Sequence, residues 1–183
     1  MCSSSFSWRK PLPVVLVVLM TSCAEQHDKA WVRVDGLDAG GFSVAMPQTP
    51  DAQHGTMVID RDTVDTHIDI LADSGVVYVA AWFELPDSLR ARPAEETVAH
   101  IWPQVVARFN GTELQEEGPL GGGGGAGIRE AWLMSPGGSR IGLVLRRSGD
   151  RMVLMNAAMP DRLMQPAQRR RMVEFLRSFQ PRG

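Results

Sequence analysis

Hydrophobic and polar residues alternate along several segments after residue 30, as is typical of strands with one buried face. We predict strands over residues 31–34, 42–46, 56–59, 63–72, 76–83, 112–117, 128–134, 141–145 and 152–158. The segment 76–83 differs from the others because its residues are apolar at both alternating sets of positions. A strand of that kind should be covered on both sides.

Two further segments repeat their apolar residues at helical spacing. In the first, between Pro93 and Asn110, a single stripe holds Val98, Ile101, Val105, Val106 and Phe109. Pro103 lies inside it and predicts a kink or a break, because proline has no amide hydrogen to donate. The second segment ends before Pro181. Its apolar residues lie three, four and seven positions apart, as on one side of a helix: Met172, Phe175, Leu176 and Phe179.

The order of these elements predicts the fold class. Several strands, one helix, more strands and a last helix are typical of an α+β domain with a mainly antiparallel sheet. Because residues 76–83 need cover on both sides and there are two amphipathic helices, we expect helices on both faces of the sheet. Within residues 63–72, alternation assigns one set to the core and the other to solvent. The core set is Thr66, Ile68, Ile70 and Ala72, and the solvent set is Asp65, His67 and Asp69.

The amino-terminal segment has the composition of an export leader. Arg9 and Lys10 precede an apolar run over residues 11–20, and small residues follow at Thr21 and Ser22. The run is about half of the roughly 20 residues that a membrane-spanning helix needs. We therefore predict a signal peptide over residues 1–22.

Residues 19–23 resemble the lipobox of bacterial lipoproteins, in which a signal peptidase cuts before the cysteine and that cysteine carries the lipid. The resemblance implies lipidation of Cys23. Residues 23–30 are then a polar tether, and residues 31–180 a single domain. The alternative is ordinary cleavage after Ala24, since Ser22 and Ala24 also satisfy the small-x-small rule.

Charge and cysteine content exclude several classes of function. Removal of the leader with Arg9 and Lys10 changes the net charge from −2 to −4, which is not typical of a nucleic-acid-binding protein. Cys2 is removed and Cys23 is lipidated or removed, so no internal disulfide or cysteine nucleophile is available. Lys29 is the only lysine after Cys23, which leaves the domain without a Schiff-base or P-loop lysine.

Four segments together resemble a known group of proteins. They are residues 42–47, 77–80, 127–130 and 175–179. The resemblance is to bacterial envelope lipoproteins of uncharacterised function that are related in fold to the PsbP-like domains, and it implies an α/β/α sandwich. Its motifs are packing motifs and imply no chemistry. The run from Gly121 to Gly125 departs from the shorter loop of that group.

Two sets of residues are candidate metal ligands. Asp65, His67 and Asp69 place two carboxylates and an imidazole on one side of a strand, and zinc accepts such ligands. We favour a solvated face, because metal ligands usually converge from more than one element. A soft metal such as cuprous copper could use the thioethers of Met152, Met155, Met159, Met164 and Met172. We favour core filling for these methionines, because residues 152 and 155 face opposite sides of one strand.

Catalysis has weak support in the sequence. No G-x-S-x-G motif occurs, and His27, His54, His67 and His100 are scattered along the chain. The basic run Arg169–Arg171 either contacts anionic headgroups or solvates its helix, and we favour solvation.

These observations predict a non-catalytic binding or accessory lipoprotein of the bacterial cell envelope, without a cofactor. Its expected partners are the membrane, through the amino-terminal lipid, and an envelope protein, but no nucleic acid. Ala24, in place of an acidic residue, follows the cysteine, which resembles the pattern of lipoproteins sorted to the outer membrane in Gram-negative bacteria. The resemblance implies a location on the periplasmic side of that membrane. The alternatives are an envelope metal-binding protein for zinc or copper, and a hydrolase with an unrecognised site.

Overall fold

The structure, a computed structural model, describes residues 31–35, 41–109, 112–117, 120 and 125–181. Its strands are β1 (Val32–Asp35), β2 (Phe42–Met46), β3 (Asp51–Ile59), β4 (Asp62–Asp73), β5 (Val76–Glu84), β6 (Glu113–Glu117), β7 (Ile128–Met134), β8 (Ser139–Ser148), β9 (Arg151–Pro160) and β10 (Gln180–Pro181). Its α-helices are α1 (Asp87–Arg90), α2 (Ala94–Ala107) and α3 (Pro166–Arg177), and a 3-10 helix spans Asp161–Leu163.

The strands form two sheets. Seven of them make the main sheet in the order β3-β4-β5-β9-β8-β7-β6, and the other three make a small sheet in the order β1-β2-β10. Every strand pair in the described residues is antiparallel. The prediction of an α+β fold with a mainly antiparallel sheet is therefore confirmed.

Two hairpins join neighbouring strands of the main sheet. β8 and β9 pair continuously from Ser148–Arg151 to Ser139–Pro160, and β3 and β4 meet at a turn over Asp60 and Arg61. Asp60 has a φ of 56° there, a left-handed conformation that aspartate adopts more readily than most residues.

Three local features differ from the sequence prediction. β3 begins at Asp51, five residues early, because this polar edge strand pairs along its whole length with β4. Helix α1 lies between residues 83 and 93, where the sequence predicts neither a strand nor a helix. Helix α2 passes through Pro103 without a break, since the proline is exposed and the stripe on the opposite side stays buried.

Buried residues form two clusters that draw on the main sheet. The first contains Phe175 of α3 together with Tyr78 and Trp82 of β5, and the second contains Ile101 of α2 and Phe83 of β5. Neighbouring residues of one strand thus belong to different clusters. The first cluster also takes in Phe42, Val44 and Met46, so the small sheet shares its core with α3.

A polar contact fastens the β3–β4 turn to α2. His100 Nε2 lies 2.8 Å from Asp60 Oδ2, and Gln104 Nε2 donates a hydrogen bond of 2.7 Å to Asp60 Oδ1. The Asp60 amide in turn donates to Gln104 Oε1 at 3.0 Å. The hydrogen bond from His100 is the main reason that the pKa of Asp60 lies below its usual value.

We expect Asp60→Asn to lower the free energy of unfolding at pH 7 by up to about 1 kcal/mol, because the contact is solvent-exposed. A carboxylate with a depressed pKa stabilises the fold above its unfolded-state pKa, and this contribution is lost as the pH falls through the lower folded-state value. The free energy of unfolding, measured in urea between pH 2 and 7, should therefore fall less toward acid pH in the variant than in the wild type. Asp62→Asn, two residues further on and exposed, is the control. An unchanged pH profile in Asp60→Asn would contradict the assignment.

Candidate ligand-binding groove

A groove opens where β1 and β2 meet helix α3. Its volume is about 1050 Å³, at the upper end of the range of roughly 300 to 1,000 Å³ that small-molecule sites occupy. The apolar residues that line it are Trp31, Ala45, Leu120, Pro166 and Val173. Most of these side chains are buried or half-buried, so the groove has an apolar inner surface.

Helix α3 presents two different stripes. Met172, Phe175 and Leu176 are buried in the first core cluster. The residues that line the groove form a second stripe, offset around the helix by their spacing of three and four: Pro166, Arg169, Arg170, Val173, Glu174 and Arg177. The helix therefore packs with one side and leaves the other for the groove.

Two contacts hold the walls of the groove in place. Ser178 Oγ accepts a hydrogen bond of 2.8 Å from the Ala45 amide and donates one of 2.7 Å to the Phe175 carbonyl, which joins β2 to the end of α3. Trp31 lies edge-on to Tyr78, with ring centroids 6.1 Å apart. Tyr78 is fully buried, and burial raises the pKa of its hydroxyl to about 12.

The exposed side chains of the groove are mostly arginines. Arg33, Arg169, Arg170 and Arg177 all line it, whereas Glu174 is its acidic residue. Within the described part of the chain, none of these four guanidinium groups lies within ion-pair distance of a carboxylate. Their contacts are with neutral groups: Arg33 donates to Ser43 Oγ at 2.8 Å, and Arg169 lies 5.5 Å from the centre of the Trp132 ring. The groove is therefore electropositive although the chain has a net charge of −2.

The basic run Arg169–Arg171 does not act as one solvated group. Arg171 turns to the other side and forms a salt bridge of 3.0 Å with Asp73, to which Gln48 also donates. Its side chain is only 23% exposed, so the prediction of solvation is wrong for Arg171. Arg171 is adjacent to Arg170 in the sequence but lies on a different side of α3, because consecutive helix residues point in directions about 100° apart.

A second, more polar cleft of about 550 Å³ lies beside the ends of β4 and β5. Its charged and aromatic lining includes Asp62, Asp65, His67, Trp82, Glu84 and Arg90. Arg90 lies 3.6 Å from Glu84 and 3.2 Å from Asp87, which partly neutralises the acidic side chains.

The assignment of Asp65, His67 and Asp69 to a solvated side of β4 is wrong for two of the three. Asp69 is 5% exposed, and burial raises the pKa of its carboxyl group. His67 stacks on Trp82 with 3.9 Å between ring centroids and 7° between planes. In register, His67 lies opposite Trp82 and Asp69 opposite Ala80, which belong to the first core cluster.

Core packing therefore decides the position of these side chains. The alternation correctly places Asp65, His67 and Asp69 on the opposite face of β4 from Thr66 and Ile68. The set that was predicted to face the core is not the more deeply buried of the two, however, since its member Ala72 is exposed. Among the residues that the structure describes, no group of three or more His, Cys, Asp or Glu side chains is placed to hold a metal ion.

The other candidate ligands are dispersed as well. The methionines fill the core as predicted: Met152 belongs to the second cluster, Met155, Met159 and Met172 belong to the first, and Met164 packs against it. His54 makes an edge contact with His67, with centroids 4.7 Å apart, whereas His100 binds Asp60. His27 lies outside the described residues.

Cys23, the tether and residues 121–124 of the glycine run also lie outside the described residues. No helix among the residues described here combines the length and the apolar character needed to cross a membrane. The groove itself has little sequence signal, since Trp31, Ala45 and Leu120 are far apart along the chain. The spacing of Arg169, Arg170, Val173 and Arg177 on one helical stripe could have indicated it.

Comparison with known proteins adds no family to this description, because the sequence matches no family model and has no significant match among curated proteins.

Proposed function

We propose that this protein is a lipoprotein of the bacterial cell envelope, anchored through Cys23, whose domain binds a ligand in the groove beside α3. The role is binding or accessory, without catalysis. The observation that carries the binding role is the groove: an apolar inner surface with four guanidinium groups, none of which lies within ion-pair distance of a described carboxylate.

We further infer an α/β/α sandwich of the PsbP-like kind, in which α2 and α3 cover opposite faces of the main sheet. Successive strand residues point to opposite faces of a sheet. Trp82 and Phe83 are adjacent on β5, but Trp82 belongs to the core cluster that contains α3 and Phe83 to the cluster that contains α2. This difference supports the arrangement. The same division holds on β7, where Trp132 belongs to the first cluster and Leu133 to the second.

The export and anchoring part rests on the leader. A basic start, an apolar run and small residues before Cys23 are typical of a lipoprotein signal. A short tether follows, so the domain would remain close to the membrane surface. The outer membrane, on its periplasmic side, is the proposed location in a Gram-negative cell.

Lipidation gives a direct prediction. Cells that express the full chain should incorporate labelled palmitate into it, and the membrane fraction should retain the protein. Cys23→Ser removes the acylated thiol, so it should abolish the label, while Cys2→Ser, at the other cysteine, should keep it. Mass spectrometry of an unprocessed, unacylated wild-type chain would reject the anchor.

The binding role is tested at the groove. Native mass spectrometry of the full chain, released from detergent, should show an adduct of a small apolar ligand. Ala45→Phe places a ring inside the groove and should remove the adduct. Val58→Phe, on an exposed strand position remote from the groove lining, is the matched control and should retain it. Absence of any adduct on the wild-type chain, or its survival in Ala45→Phe, would count against the groove as the binding site.

A further inference from the structure

We propose that the groove takes an anionic phospholipid from the membrane to which the chain is anchored. An acyl chain lies along the apolar lining, and the phosphate is bound by the guanidinium groups of Arg169, Arg170 and Arg177. This inference rests on the proposed function and deepens it by giving the chemical class of the ligand.

Charge complementarity points to the anionic headgroup. Arg170 contacts no other described side chain through a hydrogen bond, an ion pair or a ring, and Arg177 contributes only a 3.4 Å hydrogen bond to the Leu120 carbonyl. Elsewhere in the described chain, arginines such as Arg140 and Arg171 have carboxylate partners. The guanidinium fork matches two oxygens of a phosphate, and a bound phosphate would supply the anionic partner that no described carboxylate provides within ion-pair distance.

The inner lining points to an acyl chain. Trp31 and Val173 are half-buried and Leu120 is 8% exposed, so the apolar wall continues inward from the arginines. The polar side chains of the groove are donors, apart from Glu174 and the already hydrogen-bonded Ser178. A peptide would need acceptors for its amide hydrogens, whereas an acyl chain needs none.

The length of chain before the groove favours the membrane as the source. Cys23 precedes Trp31, a groove residue, by eight positions. Even fully extended, eight residues reach about 26 to 29 Å. An acylated Cys23 would therefore keep the groove within that distance of the bilayer that holds the anchor.

The test uses the full chain in nanodiscs of phosphatidylcholine, titrated with dihexanoyl-phosphatidylglycerol or dihexanoyl-phosphatidylcholine. These two soluble lipids share their acyl chains and differ in net charge. Calorimetry, with empty nanodiscs as the blank, should show phosphatidylglycerol binding at least about tenfold more tightly, and added salt should reduce the difference.

Arg170→Glu should weaken binding of the anionic lipid by about tenfold or more and leave the fold intact, since the Arg170 side chain is exposed and makes no described hydrogen bond or ion pair. Arg61→Glu, which changes the charge identically in the β3–β4 turn, should leave the affinity unchanged.

Each of the other possible results would reject a specific part of the lipid-binding proposal. Equal binding of both lipids, lost in Ala45→Phe, would reject the anionic headgroup but keep a ligand-binding groove. Binding of neither lipid, together with a wild-type chain free of adducts, would reject the proposed function as well. Equal loss in Arg61→Glu and Arg170→Glu would show a general charge effect, and preference for an acidic peptide over phosphatidylglycerol would replace the lipid by a protein partner.

Discussion

Replacing Arg147 with methionine should lower the free energy of unfolding by about 2 kcal/mol, because a largely buried side chain holds the start of α2 in place through four hydrogen bonds. Its side chain is 12% exposed. It donates to the carbonyl of Arg90 at 2.7 Å, to the carbonyl of Arg92, to Thr97 Oγ1 at 3.0 Å and to the Gly149 carbonyl at 2.8 Å.

The cost arises from the groups that remain after substitution. Helix α2 begins after Pro93 without a side-chain cap, and Thr97 Oγ1 donates to the Pro93 carbonyl at 2.9 Å. Methionine fills much of the space of the arginine stem but donates no hydrogen bond. The carbonyl groups of residues 90 and 92 would then lose a charged donor, and because both hydrogen bonds are solvent-exposed the net cost is about 0.5 to 1 kcal/mol for each.

Equilibrium unfolding in urea measures this effect. Arg147→Lys keeps the charge but loses the planar fork, so it should fall between the wild type and the methionine variant. Arg61→Met, at an exposed turn position, is the control and should stay within about 0.5 kcal/mol of wild type. If Arg147→Met matched Arg61→Met, the arginine would have no role in fixing the loop before α2.

The second large effect is expected at Gly142, where Gly142→Val should lower the free energy of unfolding by about 2 to 3 kcal/mol. A Cβ atom there would lie 2.6 Å from Leu176 Cδ1 and 3.0 Å from Trp132 Cζ3. Leu176 can move, but the Trp132 ring is 3% exposed and lies directly opposite Gly142 in the β7–β8 register. A side chain at Gly142 would therefore have to displace Leu176 of α3 and crowd the buried Trp132 ring.

Gly55→Val provides a matched control. Gly55 also lies within a strand, on the edge strand β3, and its added Cβ would be 3.9 Å from the nearest atom, Ile68 Cδ1. Since valine favours strands, this variant should be neutral or slightly stabilising. Thermal and urea unfolding of the two variants separate overpacking from a general effect of valine. A loss of stability in Gly55→Val as large as in Gly142→Val would contradict the close approach of α3.

The same contact has a consequence for ligand binding. Leu176 belongs to the core stripe of α3, whereas Val173 and Arg177 belong to the groove stripe. Displacement of Leu176 by Gly142→Val would disturb the packing of α3 that positions the groove stripe, and we expect the variant to bind dihexanoyl-phosphatidylglycerol more weakly. Arg147 donates to Thr97 of α2, a helix that packs in the second core cluster and contributes no residue to the groove. Arg147→Met should therefore leave that affinity unchanged in the folded protein.

Local patterns along the chain determined most of the elements. The continuous apolar run over 76–83, the alternation over 141–145 and the helical stripe of 98–109 predict β5, β8 and α2, because each pattern depends only on neighbouring residues. The turn residues before Asp62 and Arg151 predict the hairpins for an equally local reason. The mainly antiparallel α+β class follows from the order of these elements.

Only the tertiary structure decided which faces are buried and what the exposed stripes do. Alternation separates His67 and Asp69 from Ile68, but burial of the polar pair depends on Trp82 and Ala80 across the register. The pairing of β2 with β10, outside the main sheet, joins residues more than 130 positions apart. The groove arises from that pairing, because Ala45 and α3 come together only when the last strand closes the small sheet. Side-chain periodicity is a property of a short segment, whereas a groove is a property of the segments that happen to meet.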